Sequence, residues 1–413
     1  MDFFSKFRKK PSSAISTLSI TAQVDEISLD EDNLNEPPDE MEHEPVDKDN
    51  ISEVKPIELN LPSLKLSNLL KALVELGGSD LHLEAGSPPV YRIKGDICFT
   101  KKRPLNNTQV YTLIKHLIRG ENKNIFERVG NLDLAHEIPG VARFRVNILR
   151  QHHGVGAVFR VIPTKIPTIE QLNLPPVLKK ISMFNRGIVI VTGPTGSGKS
   201  TTMAAMINYV NNIREAHIIT IEDPIEFTHP SLKCLVDHRE IGSHATSFPA
   251  ALKAALREDP DIVLVGEMRD LETISLAMTA AETGVLVFGT LHTNSAAKTI
   301  DRIIDVFPAK QQEQARSQLA QSLKAIIAQQ LLKTADGSGR VAVNEILVCN
   351  TGISNLIREN RTGQISSFIQ MGKDEGMQSM DAALLDLYKT GKISARTAFE
   401  RAIEKSRFEK FLM

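Results

Sequence analysis

The sequence predicts an α/β protein: a mostly parallel sheet with helices on both faces, a smaller α+β domain before it, helices after it and a disordered tail in front. Three observations predict this. After Ile181 the chain alternates short apolar runs with helix-period stretches, as repeated βαβ units do. Ahead of that, helix period gives way to two-residue alternation. Residues 1–57 are rich in acid and poor in side chains able to form a core.

Taken in order, the tail holds thirteen acids between Asp25 and Glu53 against Lys48 alone, with Pro37-Pro38 inside. Such a segment buries too little apolar surface to offset its ordering entropy, so residues 1–57 are expected to be disordered. The first ten residues carry Lys6, Arg8, Lys9 and Lys10 among phenylalanines. They read as a solvated end, with contact to an anionic membrane surface as the alternative. A Ser/Thr-broken stretch follows in place of an apolar core, so a secretory signal is not expected.

Residues 58–163 read as the α+β domain. Leu64, Leu66, Leu69, Leu70, Leu73 and Leu76 repeat at three and four, and Gly77-Gly78 stops that helix. Residues 80–84 and 90–96 alternate as two strands parted by Pro88-Pro89, and residues 143–150 and 155–162 alternate likewise. Prolines 163, 167, 175 and 176 punctuate a linker over 164–180. In the main domain, 181–360, the expected strands are 188–192, 217–221, 261–265, 285–290 and 341–348, with helical stretches between them. Residues 361–413 read as helices, with Met380, Leu384, Leu385, Leu387 and Tyr388 on one stripe.

Charge and cysteine content narrow the function classes. The 413 residues balance 49 bases against 50 acids, but the net charge of −1 averages +3 on residues 1–10, −12 on 25–53 and +8 on the remainder. With 41% hydrophobic residues, a wholly disordered or collagen-like chain is excluded. Cys98, Cys234 and Cys349 are too scattered for a zinc ribbon or a disulfide framework, so a reduced compartment is expected. The apolar runs 188–192 and 285–291 fall far short of the roughly 18 residues of a membrane span. A cytoplasmic protein, at most peripheral to a membrane, is therefore expected. Aromatic residues make up 5%, and no basic strip is interleaved with them, so no nucleic-acid partner is expected.

Chemistry enters at Gly193-Pro194-Thr195-Gly196-Ser197-Gly198-Lys199-Ser200-Thr201, which fits G-x-x-x-x-G-K-[ST] directly after an apolar strand and before a helix. Backbone N–H groups of such a loop curl around phosphate oxygens at a helix N-terminus. Lys199 reaches the terminal phosphates and Ser200 offers a hydroxyl to Mg²⁺, so ATP with Mg²⁺ is the expected ligand pair. Hydrolysis also needs a carboxylate to polarise water. Residues 262–265 form an apolar run ending in Gly266-Glu267, the layout of a Walker B segment with Glu267 catalytic and with glycine where aspartate is usual. A metal-supporting carboxylate must then come from the cluster Glu222-Asp223-Pro-Ile-Glu226, whose alternative reading is a turn before Pro224. His292, after the run 285–288, falls at the same sheet edge and is expected to sense the γ-phosphate or to couple subunits.

Together these segments carry a family resemblance. Gly77-Gly-Ser-Asp-Leu-His-Leu, Phe144-Arg-Val-Asn, the phosphate loop, Thr220-Ile-Glu-Asp-Pro-Ile-Glu226-Phe, Val265-Gly-Glu-Met-Arg-Asp270 and Gly289-Thr-Leu-His-Thr-Asn-Ser-Ala resemble the type II/type IV pilus secretion ATPases over about residues 60–410. Within that superfamily the chain looks most like the PilT-type retraction ATPases. It lacks a tetracysteine zinc insertion, and Gly352-Ile-Ser-Asn-Leu-Ile-Arg-Glu359 is similar to their Ala-Ile-Arg-Asn-Leu-Ile-Arg-Glu signature, departing at Gly352 and Ser354. The resemblance implies a PAS-like first domain, a RecA-like ATPase domain and a homohexameric ring. It implies that Glu226 is the acidic-box carboxylate, Glu267 the catalytic one, His292 the histidine-box residue and Arg302 an arginine near the nucleotide. Arg143, Arg145 and Arg160 are the arginines of the first domain that would reach the γ-phosphate; the alternative is that they form a strand's solvent face. The implied partners are an inner-membrane pilus platform protein and a paralogous retraction ATPase, met peripherally at the inner membrane. Rival readings are a pilus-assembly or type II secretion ATPase of the same superfamily, a RecA-like nucleic-acid motor, and a nucleotide-binding regulator without hydrolysis.

Overall fold

The computed structural model describes residues 64–412 apart from 94, 163–165 and 338, and the expected disordered tail lies outside the described residues. The first part runs α1 (Leu66–Glu75), β1 (Gly78–Glu84), β2 (Val90–Ile93), β3 (Asp96–Phe99), α2 (Asn107–Ile114), α3 (Glu121–Val129), β4 (Asn131–Ile138), β5 (Ala142–Gln151) and β6 (Gly154–Ile162). The leucine spacing produces α1, which buries Leu66, Leu69, Leu70 and Leu73. Asn106 and Gln109 form a reciprocal capping box that starts α2. The strands pair antiparallel in the order β3-β2-β1-β6-β5-β4. Alternation turns Leu81, Leu83, Phe144, Val146, Ile148, Ala157 and Phe159 into one core with the three helices. Two expectations need correction. The strand expected over 90–96 is two strands, because Gly95 adopts φ +98° and reverses the chain. β4 is a full strand that the alternation analysis did not assign.

The second part runs α4 (Val177–Ser182), β7 (Gly187–Thr192), α5 (Lys199–Ile213), β8 (His217–Glu222), β9 (Leu235–Glu240), α6 (Phe248–Ala255), β10 (Ile262–Val265), α7 (Leu271–Glu282), β11 (Leu286–Leu291), α8 (Ala296–Asp305), α9 (Gln312–Ser322), β12 (Leu323–Lys333) and β13 (Arg340–Val348). Among the described residues these strands form one sheet, ordered β13-β12-β7-β11-β10-β8-β9. Pairing is parallel except between β12 and β13. β7 is buried along its whole length, with Ile188 and Ile190 in one core and Val189 and Val191 in the other. Helices therefore cover both faces, as the strand–helix alternation implies. Then follow α10 (Thr351–Arg358), α11 (Ile365–Met371), α12 (Met380–Lys389), α13 (Ala395–Arg401) and α14 (Ser406–Glu409). The last three pack on Leu332, Val341 and Val343 of the β12–β13 hairpin.

Two strands depart from expectation here too. β12 occupies a stretch expected to be helical, and β9 was not expected at all. Since β8, β10, β11 and β7 are parallel, the loops following them gather at one edge of the sheet. No helix among the described residues is long and apolar enough to cross a membrane.

Candidate active site

The phosphate loop leaves the end of β7 and feeds the first turn of α5. Gly193 has φ +145°, and a Cβ there would lie 2.2 Å from the carbonyl oxygen of Gln329 on β12, so only glycine fits against that neighbour. Lys199 folds back over the loop: its Nζ donates to the carbonyls of Gly193 at 2.9 Å and Pro194 at 3.1 Å. Burial pulls Lys199 below the usual lysine range, while the Glu267 and Glu226 carboxylates push it back up. Ser197 Oγ is buried and has no hydrogen-bond partner among the described residues. An orphaned hydroxyl in a cradle of peptide N–H groups and one buried cation suits a polyanion. Pro194, Thr195 and Gly196 are exposed, and Gly198, Ser200 and Thr201 half-exposed, so the loop faces outward.

At the same edge, Glu267 follows β10 and His292 follows β11. Their Oε1 and Nε2 atoms are 3.0 Å apart, and Arg269 Nε donates to the same carboxylate oxygen. Neighbouring bonds fix this meeting: the Thr290 hydroxyl donates to Gly266 O, and Met268 N donates to Thr290 O at 3.0 Å. Glu226 is exposed on the loop after β8, its N–H donating to Glu222 Oε2 at 3.3 Å. Burial, aided by the Glu226 and Glu240 carboxylates and opposed by the hydrogen bonds it accepts, raises Glu222 to about 7.

Several contacts that support this edge are not evident from the sequence motifs. Thr192 Oγ1 accepts from Thr293 N at 2.9 Å, and Thr293 Oγ1 lies 2.6 Å from Thr299 Oγ1, so hydroxyls stitch the end of β7 to the residue after His292 and on to α8. Glu345 of β13 accepts from Ala296 N at 2.8 Å and so holds the start of α8. Thr192 and Glu345, polar residues buried in otherwise apolar strands, have no periodicity to betray them; only their burial reveals them.

Among the described residues, no hydrogen bond or ion pair joins Arg302, Arg143, Arg145 or Arg160 to the phosphate loop. Arg302 is exposed on α8. Arg160 donates to buried Asp80 at 2.7 Å, Arg143 to buried Glu240 at 3.4 Å, and Arg145 is exposed. In this conformation the first two are held by carboxylates of their own.

The family model for type II/IV secretion system proteins matches residues 61–392. The chain belongs to this family. This secretion-system protein is 53% identical over 339 residues to the type IV pilus retraction ATPase PilT of Pseudomonas aeruginosa, a match spanning 82% of the chain and 98% of the relative. It is 41% identical to the type IV pilus ATPase PilU of the same organism, over 82% of the chain and 89% of that relative. A crystal structure of the pilus retraction motor PilT with bound ADP superposes at a TM-score of 0.79 with 46% identity, covering 84% of this chain and all of the other. The secretion-system protein thus has the α/β ATPase fold.

Beside the first turn of α5 a cavity of about 680 Å³ opens, bordered by Leu172 and Leu174 of the preceding connection, Thr201 and Thr202, and Arg340 and Lys392. Among the described residues no three His, Cys, Asp or Glu side chains are grouped to hold a metal unaided.

Proposed function

We propose that this protein is an ATP-hydrolysing hexameric motor that withdraws type IV pili by driving an inner-membrane platform protein. The observation that carries the reading is the Glu267–His292 contact, held at the sheet edge beside an outward-facing phosphate loop, in a chain that matches nearly the whole of a retraction ATPase. Lys199 and the loop N–H groups hold the phosphates, and the cavity beside α5 takes the nucleoside. Ser200, with Glu226 in support, would hold Mg²⁺, which would supply positive charge against the phosphates when bound. Glu267 orients and polarises the attacking water, and its contact with His292 makes that histidine the reporter of the γ-phosphate. Arg302, and Arg143, Arg145 or Arg160 once freed, supply the cation for the transferring phosphoryl group. The protein works in the cytoplasm, peripherally at the inner membrane, with a paralogous retraction ATPase as a further partner.

Retraction is favoured over assembly by the absence of any Cys-x-x-Cys pair, which removes the zinc insertion, and by the stretch 352–359. Glu267→Gln should cut steady-state ATP turnover by about 100-fold or more; near wild-type turnover would overturn the assignment. Deleting the gene should leave cells with surplus, non-retracting pili under the electron microscope, whereas bald cells would mark an assembly motor.

A further inference from the structure

Gln329 lies midway along β12 and is 2% exposed. A buried amide must place two donors and an acceptor, and this one places them on the phosphate loop and its neighbours. Nε2 donates to Ser197 O at 2.7 Å. Oε1 accepts from Thr202 Oγ1 at 2.7 Å and from Asn344 Nδ2 at 2.9 Å. Its backbone carbonyl is the atom that forbids a Cβ on Gly193. One residue therefore braces the first glycine of the loop, its central serine and the first turn of α5.

The bonds continue away from the loop. Asn344, directly opposite Gln329 in the β12–β13 ladder, accepts at its carbonyl from Gln378 Nε2 at 2.7 Å. Gln378 then exchanges backbone bonds of 2.8 and 3.0 Å with Ile346, and the next residue, Ser379, caps α12. An unbroken series of hydrogen bonds thus joins Ser197 to the start of α12. Amide–amide bonds of this kind are directional, so a shift of the loop carbonyl is felt along the series.

We propose that Gln329 is a positioning residue for the phosphate loop and that the series Gln329–Asn344–Gln378 makes the start of α12 respond to nucleotide in that loop. This rests on the loop being the nucleotide site. An apolar side chain of similar length at 329 would leave Ser197 O and the Thr202 hydroxyl without their partner and let the loop relax.

The test uses the full-length protein with ADP as probe. The wild type should bind ADP, and ADP should slow hydrogen exchange at the Ile346 and Gln378 amides. Gln329→Met should raise the ADP Kd and the KM for ATP roughly ten-fold, with kcat per folded molecule little changed, and should abolish the ADP-dependent slowing. Gln378→Met, remote from the loop, should keep ADP affinity within roughly two-fold while losing the slowing at Ile346. An unchanged KM in Gln329→Met, with activity falling only as the folded fraction falls, would reduce the residue to a structural one and overturn the proposal. So would slowing at Ile346 that survives in Gln378→Met. ADP binding that is absent from wild type, or undiminished in Lys199→Ala, would instead overturn the nucleotide-site reading beneath it.

Discussion

Gly266 shows why this site lacks the usual acid at the end of its strand. A Cβ at 266 would lie 3.2 Å from both Glu222 Cα and Ile221 O, so a side chain there would require β8 to give way by a few tenths of an ångström. On β8 itself the half-buried Glu222 is raised to about 7. Folded Glu222 keeps its proton up to that value, while in the unfolded chain it is lost near the ordinary 4.5. Stability should therefore fall as pH rises between these values and level off above them. Thermal unfolding of the wild type compared with Glu222→Gln should show that extra fall in the wild type alone; parallel curves would contradict it. The motif residues Lys199, Glu267 and His292 were readable in the sequence because each follows an apolar run with a strand's length. Gln329 and Thr192 were not, because a polar residue inside such a run looks the same whether it faces solvent or a loop carbonyl.

At the scale of elements, strand–helix alternation yielded β7, β8, β10 and β11, the strands whose ends carry the chemistry. It failed at β12 because α9 passes straight into that strand, with Ser322 helical and Leu323 extended at φ −67° and ψ 128°, and no glycine or proline between them. It failed at β9 because that edge strand is mostly polar, so few of its residues mark a buried face. The departure at Gly352 from the retraction signature also has an element-scale cause. A Cβ there would lie 2.8 Å from Phe368 Cε1, so α10 and α11 pack with the ring occupying the methyl's place. Gly352→Ala should accordingly cost about 1–3 kcal/mol by overpacking. Adding Phe368→Leu should return much of it; a melting temperature unmoved by the single change would refute the clash.

Across the whole molecule, a part-buried ion pair links the antiparallel sheet to the parallel one. Arg143 of β5 meets Glu240 at the end of β9, their side chains 20% and 6% exposed. Removing one member of such a pair leaves a charge short of a partner, so Arg143→Met should destabilise by roughly 1–3 kcal/mol. Arg143→Met with Glu240→Gln should recover most of that loss, because nothing ionised is then left buried. Equal losses in the single and double variants, read by chemical denaturation, would show that the charge is not what matters.

Glu240 has a second duty, since the same carboxylate oxygen accepts from Ile225 N at 3.2 Å, one residue before Glu226. Arg143 and the acidic loop are thus joint tenants of a single oxygen. If phosphate draws the arginine off, the loop is left alone with a negative charge, and if the loop moves, the arginine's grip changes. Thermodynamic reciprocity requires the two effects on binding to be equal in size.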